Sequence, residues 1–172
     1  MVKYSSILLL ISIIVLSCDK EKRPDIEIIN DPTQPNILFV IADDMGKDAT
    51  PNYSEGQQKP QMPTLEKLAS NGMTFDNVWT YPVCSPTRAS VLTGKLGYYT
   101  EVLEVGQDIS LSEESLHDFV KNQSKGAYDT ALIGKWHLSK NISDPNSMGI
   151  DYFSGILGGG VSSYTNWKEV NN

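Results

Sequence analysis

The cysteine in the segment VCSPTRASVLTG, residues 83–94, has a setting suited to chemistry. Cys84 stands at the start of a predicted helix over 85–93, where free backbone N–H groups and the helix dipole favour an anion. Arg88 lies about one turn further on the same side and can bind an oxyanion through two parallel hydrogen bonds. The same setting favours a thiolate, so a cysteine hydrolase that uses Cys84 and His137 is an alternative to an oxyanion site.

Two adjacent carboxylates, Asp43 and Asp44, follow the apolar run NILFVIA and precede Gly46. Adjacent carboxylates repel one another unless a cation or hydrogen-bond donors offset their charge. Because Gly46 ends the predicted strand, both can turn toward one ion, and oxygen ligands of this kind suit Ca²⁺ or Mg²⁺. A solvated turn is the competing interpretation, since two consecutive aspartates are common in turns.

Lys135 and His137, in the segment GKWHLS, are two residues apart. In an extended segment such residues share a face, while Trp136 between them faces the opposite way. A cation beside an imidazole is what an oxyanion substrate requires of a site. A surface lysine and a capping histidine would give the same pattern.

The elements that must position these residues alternate between strand and helix patterns, which predicts a layered α/β fold with a largely parallel central sheet flanked by helices. In such sheets, ligands bind at the carboxyl ends of the strands. We predict strands in the apolar run from Asn36, at Met73–Trp79 and at Thr130–Ile133, and helices over Met62–Gly72, Ser85–Thr93 and from a capping box at Ser110 and Glu113.

The N-terminal segment has the pattern of a bacterial lipoprotein leader. Lys3 precedes an apolar run whose length suits the hydrophobic region of a signal peptide and is short for a membrane span. Cys18 follows where the apolar run stops, so we expect residues 1–17 to be a signal peptide and Cys18 to carry lipid. Residues 18–35 then form a polar tether, and the exported protein is anchored at a membrane facing the periplasm or the cell surface.

Charge and cysteine content argue against nucleic-acid binding and against a disulfide at Cys84. The chain carries 14 Lys and Arg against 21 Asp and Glu, a net charge of −7, and has no basic cluster, so nucleic acid is not an expected partner. It has two cysteines, and lipidation of Cys18 would leave Cys84 without a disulfide partner.

The glycine-rich stretch GILGGGVSSYTNW, from Gly155, lacks dinucleotide-loop spacing and is predicted to be a flexible loop.

Three motifs together resemble the type I sulfatases of the alkaline phosphatase superfamily. CSPTR at 84–88, followed by ASVLTGK, is similar to the signature of that family. PNILFVIADDMG, which begins at Pro35, is similar to the family's first strand and calcium site. DTALIGKWHL, which begins at Asp129, is similar to a further segment of the family's site. They occur in the family's order. The resemblance runs from Pro35 to about Trp167, and residues 36–172 are expected to be the N-terminal part of a truncated catalytic domain.

The resemblance implies that a maturation enzyme oxidises Cys84 to Cα-formylglycine, whose hydrated form attacks the sulfur of a sulfate ester. Asp43, Asp44 and the modified Cys84 would face one calcium ion, which acts as Lewis acid and template. Arg88 would hold the formylglycine, Lys135 would contact the sulfate, and His137 would hydrogen-bond the diol or a sulfate oxygen.

The resemblance also sets expectations for the whole chain. Family members continue for several hundred residues with further calcium ligands and a leaving-group lysine, so we expect this chain to be poorly stable and inactive alone. A sulfated small molecule or carbohydrate is the expected substrate. The alternatives are a phosphonate or phosphodiester hydrolase of the same superfamily and a non-catalytic lipoprotein that binds sulfated glycans.

Overall fold

The computed structural model describes residues 35–171, and its mixed α/β fold agrees with the predicted class. The predicted leader 1–17, the lipidated Cys18 and the tether through residue 34 lie outside the described residues. The helices are α1 (Pro63–Asn71), α2 (Cys84–Thr93), α3 (Gly97–Thr100), α4 (Leu116–Gln123) and α5 (Asp144–Ser147), and the strands are β1 (Ala131–Lys135), β2 (Tyr152–Ile156) and β3 (Val170–Asn171).

The three strands form one small sheet in the order β1-β2-β3. β1 and β2 are parallel, and the two-residue β3 pairs antiparallel with β2. Gly134 lies opposite Gly155, where a side chain on Gly155 would be only 1.8 Å from the carbonyl oxygen of Gly134, so the close approach of the two strands requires glycine there. β2 begins inside the segment leading to the glycine-rich stretch, so the first two residues of the predicted loop are strand.

Helix α2 follows the prediction closely. It begins at Cys84, one residue earlier than predicted, and ends where Gly94 adopts a left-handed conformation with φ of 67° and donates its N–H to Ser90 O. Its buried face carries Ser85, Pro86 and Ala89. This orientation leaves the N-terminal end of α2 beside the segment that follows β1.

Helices α1 and α4 depart from the predictions in different ways. α1 has the predicted Pro63 start and Gly72 end, but none of its residues is buried, so its predicted packing against the sheet is wrong. α4 starts after Ser115 rather than at Ser110, which lies with Glu113 in a turn. Ser115 caps α4 because its hydroxyl accepts from Asp118 N–H at 3.0 Å and donates to Met148 O at 2.6 Å.

The strands predicted from Asn36 and at Met73–Trp79 are wrong for this structure. Leu38 and Val40 expose 88% and 76% of their surface, and Trp79 exposes 92%. An apolar run has the propensity for a strand, but a strand forms only when its backbone N–H and C=O groups pair with a neighbour. Within residues 35–171 neither segment has such a partner strand.

The buried core is formed by side chains from α2, from the loop after α3 and from the segments around β1 and β2. Trp136 and Phe153 are its largest members, at 1% and 0% exposure. The indole N–H of Trp136 donates to Ser139 Oγ at 2.9 Å, which satisfies the one polar atom of that side chain. The buried apolar residues are Ala89, Leu92, Val102, Ile109, Trp136, Leu138, Met148, Ile150 and Phe153.

In the part of the chain that the structure describes, no helix is both long and apolar enough to cross a membrane.

Candidate active site

The N-terminal end of α2 and the residues after β1 meet at one point. Cys84, the first residue of α2, lies with its Sγ 3.2 Å from His137 Nδ1. The thiol is free and half-buried, and the imidazole is buried at 8% exposure. The structure therefore brings together two residues that are 53 positions apart in the sequence.

The backbone of His137 is held in an unusual conformation. Its φ of 56° lies in the left-handed region, which is uncommon for residues other than glycine. The N–H of His137 donates to Leu157 O at 3.1 Å, and its carbonyl accepts from Ser85 Oγ at 2.9 Å. These contacts from two neighbouring elements hold the backbone of His137 in this conformation.

A second group of charges adjoins this pair. The Asp43 carboxylate accepts from Lys135 Nζ at 2.8 Å and lies 3.3 Å from an Arg88 guanidinium nitrogen. Arg88 also donates to Lys135 O at 2.7 Å, which ties α2 to the end of β1. Both cationic side chains are only 11% exposed, whereas Asp43 is 39% exposed.

The pKa shifts follow from these contacts. The hydrogen bond from Lys135 lowers the pKa of Asp43, partial burial opposes it, and Arg88 adds to the lowering. Burial lowers the pKa of His137, and the charges of Lys135 and Arg88 lower it further. His137 is therefore neutral at neutral pH, and Nδ1 can accept a hydrogen bond from residue 84 in the tautomer protonated at Nε2.

The arrangement can bind an anion. Two cations, a neutral imidazole and the start of the ten-residue helix α2 converge, with one carboxylate opposing them. The Nε atom of Arg88 is buried without a hydrogen-bond partner among the described residues. This nitrogen is a donor that the described residues leave unused.

The structure does not bring Asp44 into the cluster. Asp44 is exposed, has a left-handed φ of 55°, and makes no ion pair within residues 35–171. Asp43 and Asp44 suit Ca²⁺ as oxygen donors, but the ion takes six to eight oxygens. Among the described residues no group of three or more His, Cys, Asp or Glu side chains converges on one point. The two aspartates therefore fit calcium in ligand type and supply only part of a coordination shell.

Ser85 contributes to the site and was missed by the sequence reasoning. Its hydroxyl is fully buried, donates to His137 O at 2.9 Å and accepts from Gly106 N–H at 3.1 Å. Its position next to Cys84 in the sequence was the available signal. Its buried hydrogen bonds depend on where α2 and the segment after β1 meet, which the sequence pattern does not specify.

The family model described as Sulfatase matches residues 35–172. Arylsulfatase G of Mus musculus is 40% identical over 132 residues, which cover 72% of this chain and 24% of the relative. An ulvan-active sulfatase of Formosa agariphila is 35% identical over 156 residues, covering 87% of this chain and 29% of the relative. N-acetylgalactosamine-6-sulfatase of Homo sapiens is 36% identical over 121 residues, which cover 62% of this chain and 22% of the relative.

Proposed function

This chain belongs to the sulfatase family, and we propose that it serves in the hydrolysis of sulfate esters through a formylglycine made from Cys84. The observation that carries the proposal is the position of Cys84 at the start of α2, with Sγ 3.2 Å from His137 Nδ1. The chain spans 22–29% of the length of these curated relatives, so the activity is assigned to a site to which these residues contribute.

The modified residue would supply a hydrated aldehyde, one hydroxyl of which attacks sulfur and displaces the alcohol of the ester. The second hydroxyl then loses its proton, the aldehyde re-forms and sulfate leaves. His137, neutral and with Nδ1 directed at residue 84, would accept a proton or hydrogen bond from that residue. Arg88 and Lys135 would stabilise the negative charge of the sulfate group. Both cations are mostly buried, which strengthens their interaction with an anion.

A calcium ion forms part of this proposal. Asp43 and Asp44 would be two of its oxygen ligands, together with the modified Cys84. When bound, the ion would supply Lewis-acid polarisation of the sulfate oxygens. Asp43 already accepts from Lys135 and lies beside Arg88, so it would link the ion to both cations.

Substrate and location are further parts of the proposal. Two relatives have names that refer to ulvan and to an N-acetylgalactosamine 6-sulfate, which supports a sulfated carbohydrate as the substrate class. The leader pattern of residues 1–17 and Cys18 supports an exported, lipid-anchored protein in the periplasm or at the cell surface. A formylglycine-generating enzyme would then be a required partner.

The modification is tested by co-expressing the chain with a formylglycine-generating enzyme. Mass spectrometry of the peptide that spans residue 84, with and without an aldehyde-reactive probe, should show aldehyde at that position. Arg88→Lys keeps the charge and alters the signature, and should reduce the conversion. Finding only thiol at Cys84 in the unaltered chain would refute the proposal.

The reaction class is tested in a chimera in which residues 35–172 replace the matched segment of the ulvan-active sulfatase. Release of 4-nitrophenol from its sulfate ester should exceed release from its phosphate ester, and Cys84→Ala should abolish both. Faster phosphate ester hydrolysis would favour a phosphoester hydrolase. Binding of a sulfated glycan without turnover of either ester would favour a non-catalytic binding protein.

A further inference from the structure

Three consecutive exposed glycines, Gly158 to Gly160, follow β2, and the middle one faces the buried side chain of His137. A methyl group at position 159 would lie 2.7 Å from His137 Cε1 and 2.8 Å from Nε2. Carbon atoms in proteins do not approach so closely, so a side chain there would have to displace the ring or the loop. A methyl group at position 158 or 160 would meet no atom within 4 Å.

The backbone explains why this loop reaches the ring. Beyond the paired strands, Trp136 N–H donates to Ile156 O at 2.9 Å and His137 N–H donates to Leu157 O at 3.1 Å. The chain that leaves β2 is therefore fixed beside His137 through residue 157. Two residues later, position 159 faces the Cε1–Nε2 edge of the same imidazole with no room for a side chain, while Nδ1 faces Cys84 Sγ at 3.2 Å.

Space, rather than backbone conformation, is what position 159 requires of its residue. None of the three glycines has a φ between +20° and +160°, the region in which side chains are strained. Three adjacent glycines cost conformational entropy on folding, so each needs a reason to be tolerated in an ordered loop. Contact with His137 gives such a reason for Gly159 alone.

We propose that Gly159 is a positioning residue, whose missing side chain lets the loop 158–160 close against His137 and hold Nδ1 toward residue 84. The placement of the ring follows from the geometry alone, and only its effect on turnover rests on the proposed sulfatase function. The ring is held on one side by the start of α2 and on the other by the loop. Loss of the loop contact would free the imidazole to rotate away from residue 84.

The test compares Gly159→Ala with Gly158→Ala and Gly160→Ala in the full chain. In the unaltered chain, NMR should show a nuclear Overhauser contact between His137 Hε1 and the Gly159 Hα protons. Long-range ¹H–¹⁵N spectra at fixed pH report which imidazole nitrogen carries the proton. We expect Gly159→Ala to shift the His137 ¹⁵N signals, and the two control variants to leave them unchanged.

The outcomes separate this proposal from the proposed function. Equal ¹⁵N spectra for the three variants would overturn the role of Gly159. Absence of the Overhauser contact would overturn it as well, and that measurement uses the unaltered chain, so it does not depend on whether a variant folds. In the sulfatase chimera, Gly159→Ala should lower kcat about 100-fold, as expected when a group near the reacting atoms is displaced by about 1 Å, with KM nearly unchanged. Spectra that shift only in Gly159→Ala, in a chimera without sulfatase activity, would keep the positioning role and reject the function.

Discussion

Replacing Asp43 with asparagine removes a negative charge from between two cations and keeps the shape of the side chain. Asp43 Oδ2 lies 2.8 Å from Lys135 Nζ, and Oδ1 lies 3.3 Å from an Arg88 nitrogen. Lys135 and Arg88 are each 11% exposed, so neither can recover full hydration after the change. Asp43→Asn should therefore lower the free energy of unfolding.

The size of the effect follows from the exposure of the carboxylate. Exposed ion pairs contribute about 0.2–1 kcal/mol each, and breaking a buried pair costs about 3–5 kcal/mol. Because Asp43 is 39% exposed, solvent screens it and the two pairs belong near the exposed limit. Together they predict a loss of about 0.4–2 kcal/mol at pH 7 and low salt.

Urea unfolding of the chain measures this loss, with Asp44→Asn as the matched control. Asp44 has the same charge and is exposed, and it makes no ion pair within residues 35–171, so its replacement should change the free energy by less than about 0.5 kcal/mol. A double-mutant cycle with Lys135→Met should return a coupling of about 0.5–1 kcal/mol that shrinks in 0.5 M salt, a concentration at which the Debye length is only about 4 Å.

The pH dependence gives a second check on the same ion pairs. The pKa of Asp43 is lowered in the folded chain from 3.8, so the stabilisation is complete above that value and is lost as pH falls through the lower folded pKa. The reasoning is refuted if Asp43→Asn costs no more than Asp44→Asn at low salt. It is equally refuted if the Asp43–Lys135 coupling is unchanged by salt.

Three further changes test the surrounding structure. Ser85→Ala should destabilise the chain by about 1–3 kcal/mol in thermal unfolding, since it removes the partner of the buried His137 carbonyl and of the partly buried Gly106 N–H. Ser85→Thr is the comparison that keeps the hydroxyl. Phe153→Ala, at 0% exposure, should cost about 3–5 kcal/mol in urea unfolding, and a loss below 1 kcal/mol would contradict its place in the core. The pKa of Asp151 is lowered to about 2, mainly by the hydrogen bond from Lys121. Its stabilising effect should therefore persist down to pH 3.8 and be lost as pH falls toward about 2. Asp151→Asn should flatten that part of the acid-unfolding curve.

Much of the site was predictable from local patterns. The pattern predicts a helix over Ser85–Thr93, and α2 has that end and begins one residue earlier, at Cys84. The two-residue spacing of Lys135 and His137 predicted that Trp136 between them faces away, and that side chain is buried in the core. Arg88 was predicted beside the anion site because it lies one turn from Cys84, and it contacts both Asp43 and Lys135.

The remaining errors come from interactions between distant segments. The start of α4 was placed at Ser110 because the Ser110–Glu113 spacing fits a capping box, but Ser115 also bonds to Met148, 33 residues away. The run from Asn36 was predicted as a strand from its composition, although pairing depends on a neighbouring strand at the right place. Such contacts leave no periodic signal in the local sequence.

The sequence alone determined the family of this protein, the residue types of the site and the helix that presents Cys84, because motifs and helix stops are properties of short segments. The tertiary structure alone decided that Cys84 lies 3.2 Å from His137, that Asp43 joins the cationic pair while Asp44 does not, and that position 159 has no room for a side chain beside the imidazole. Direction and distance between side chains depend on how separate elements pack, and a one-dimensional pattern does not encode them.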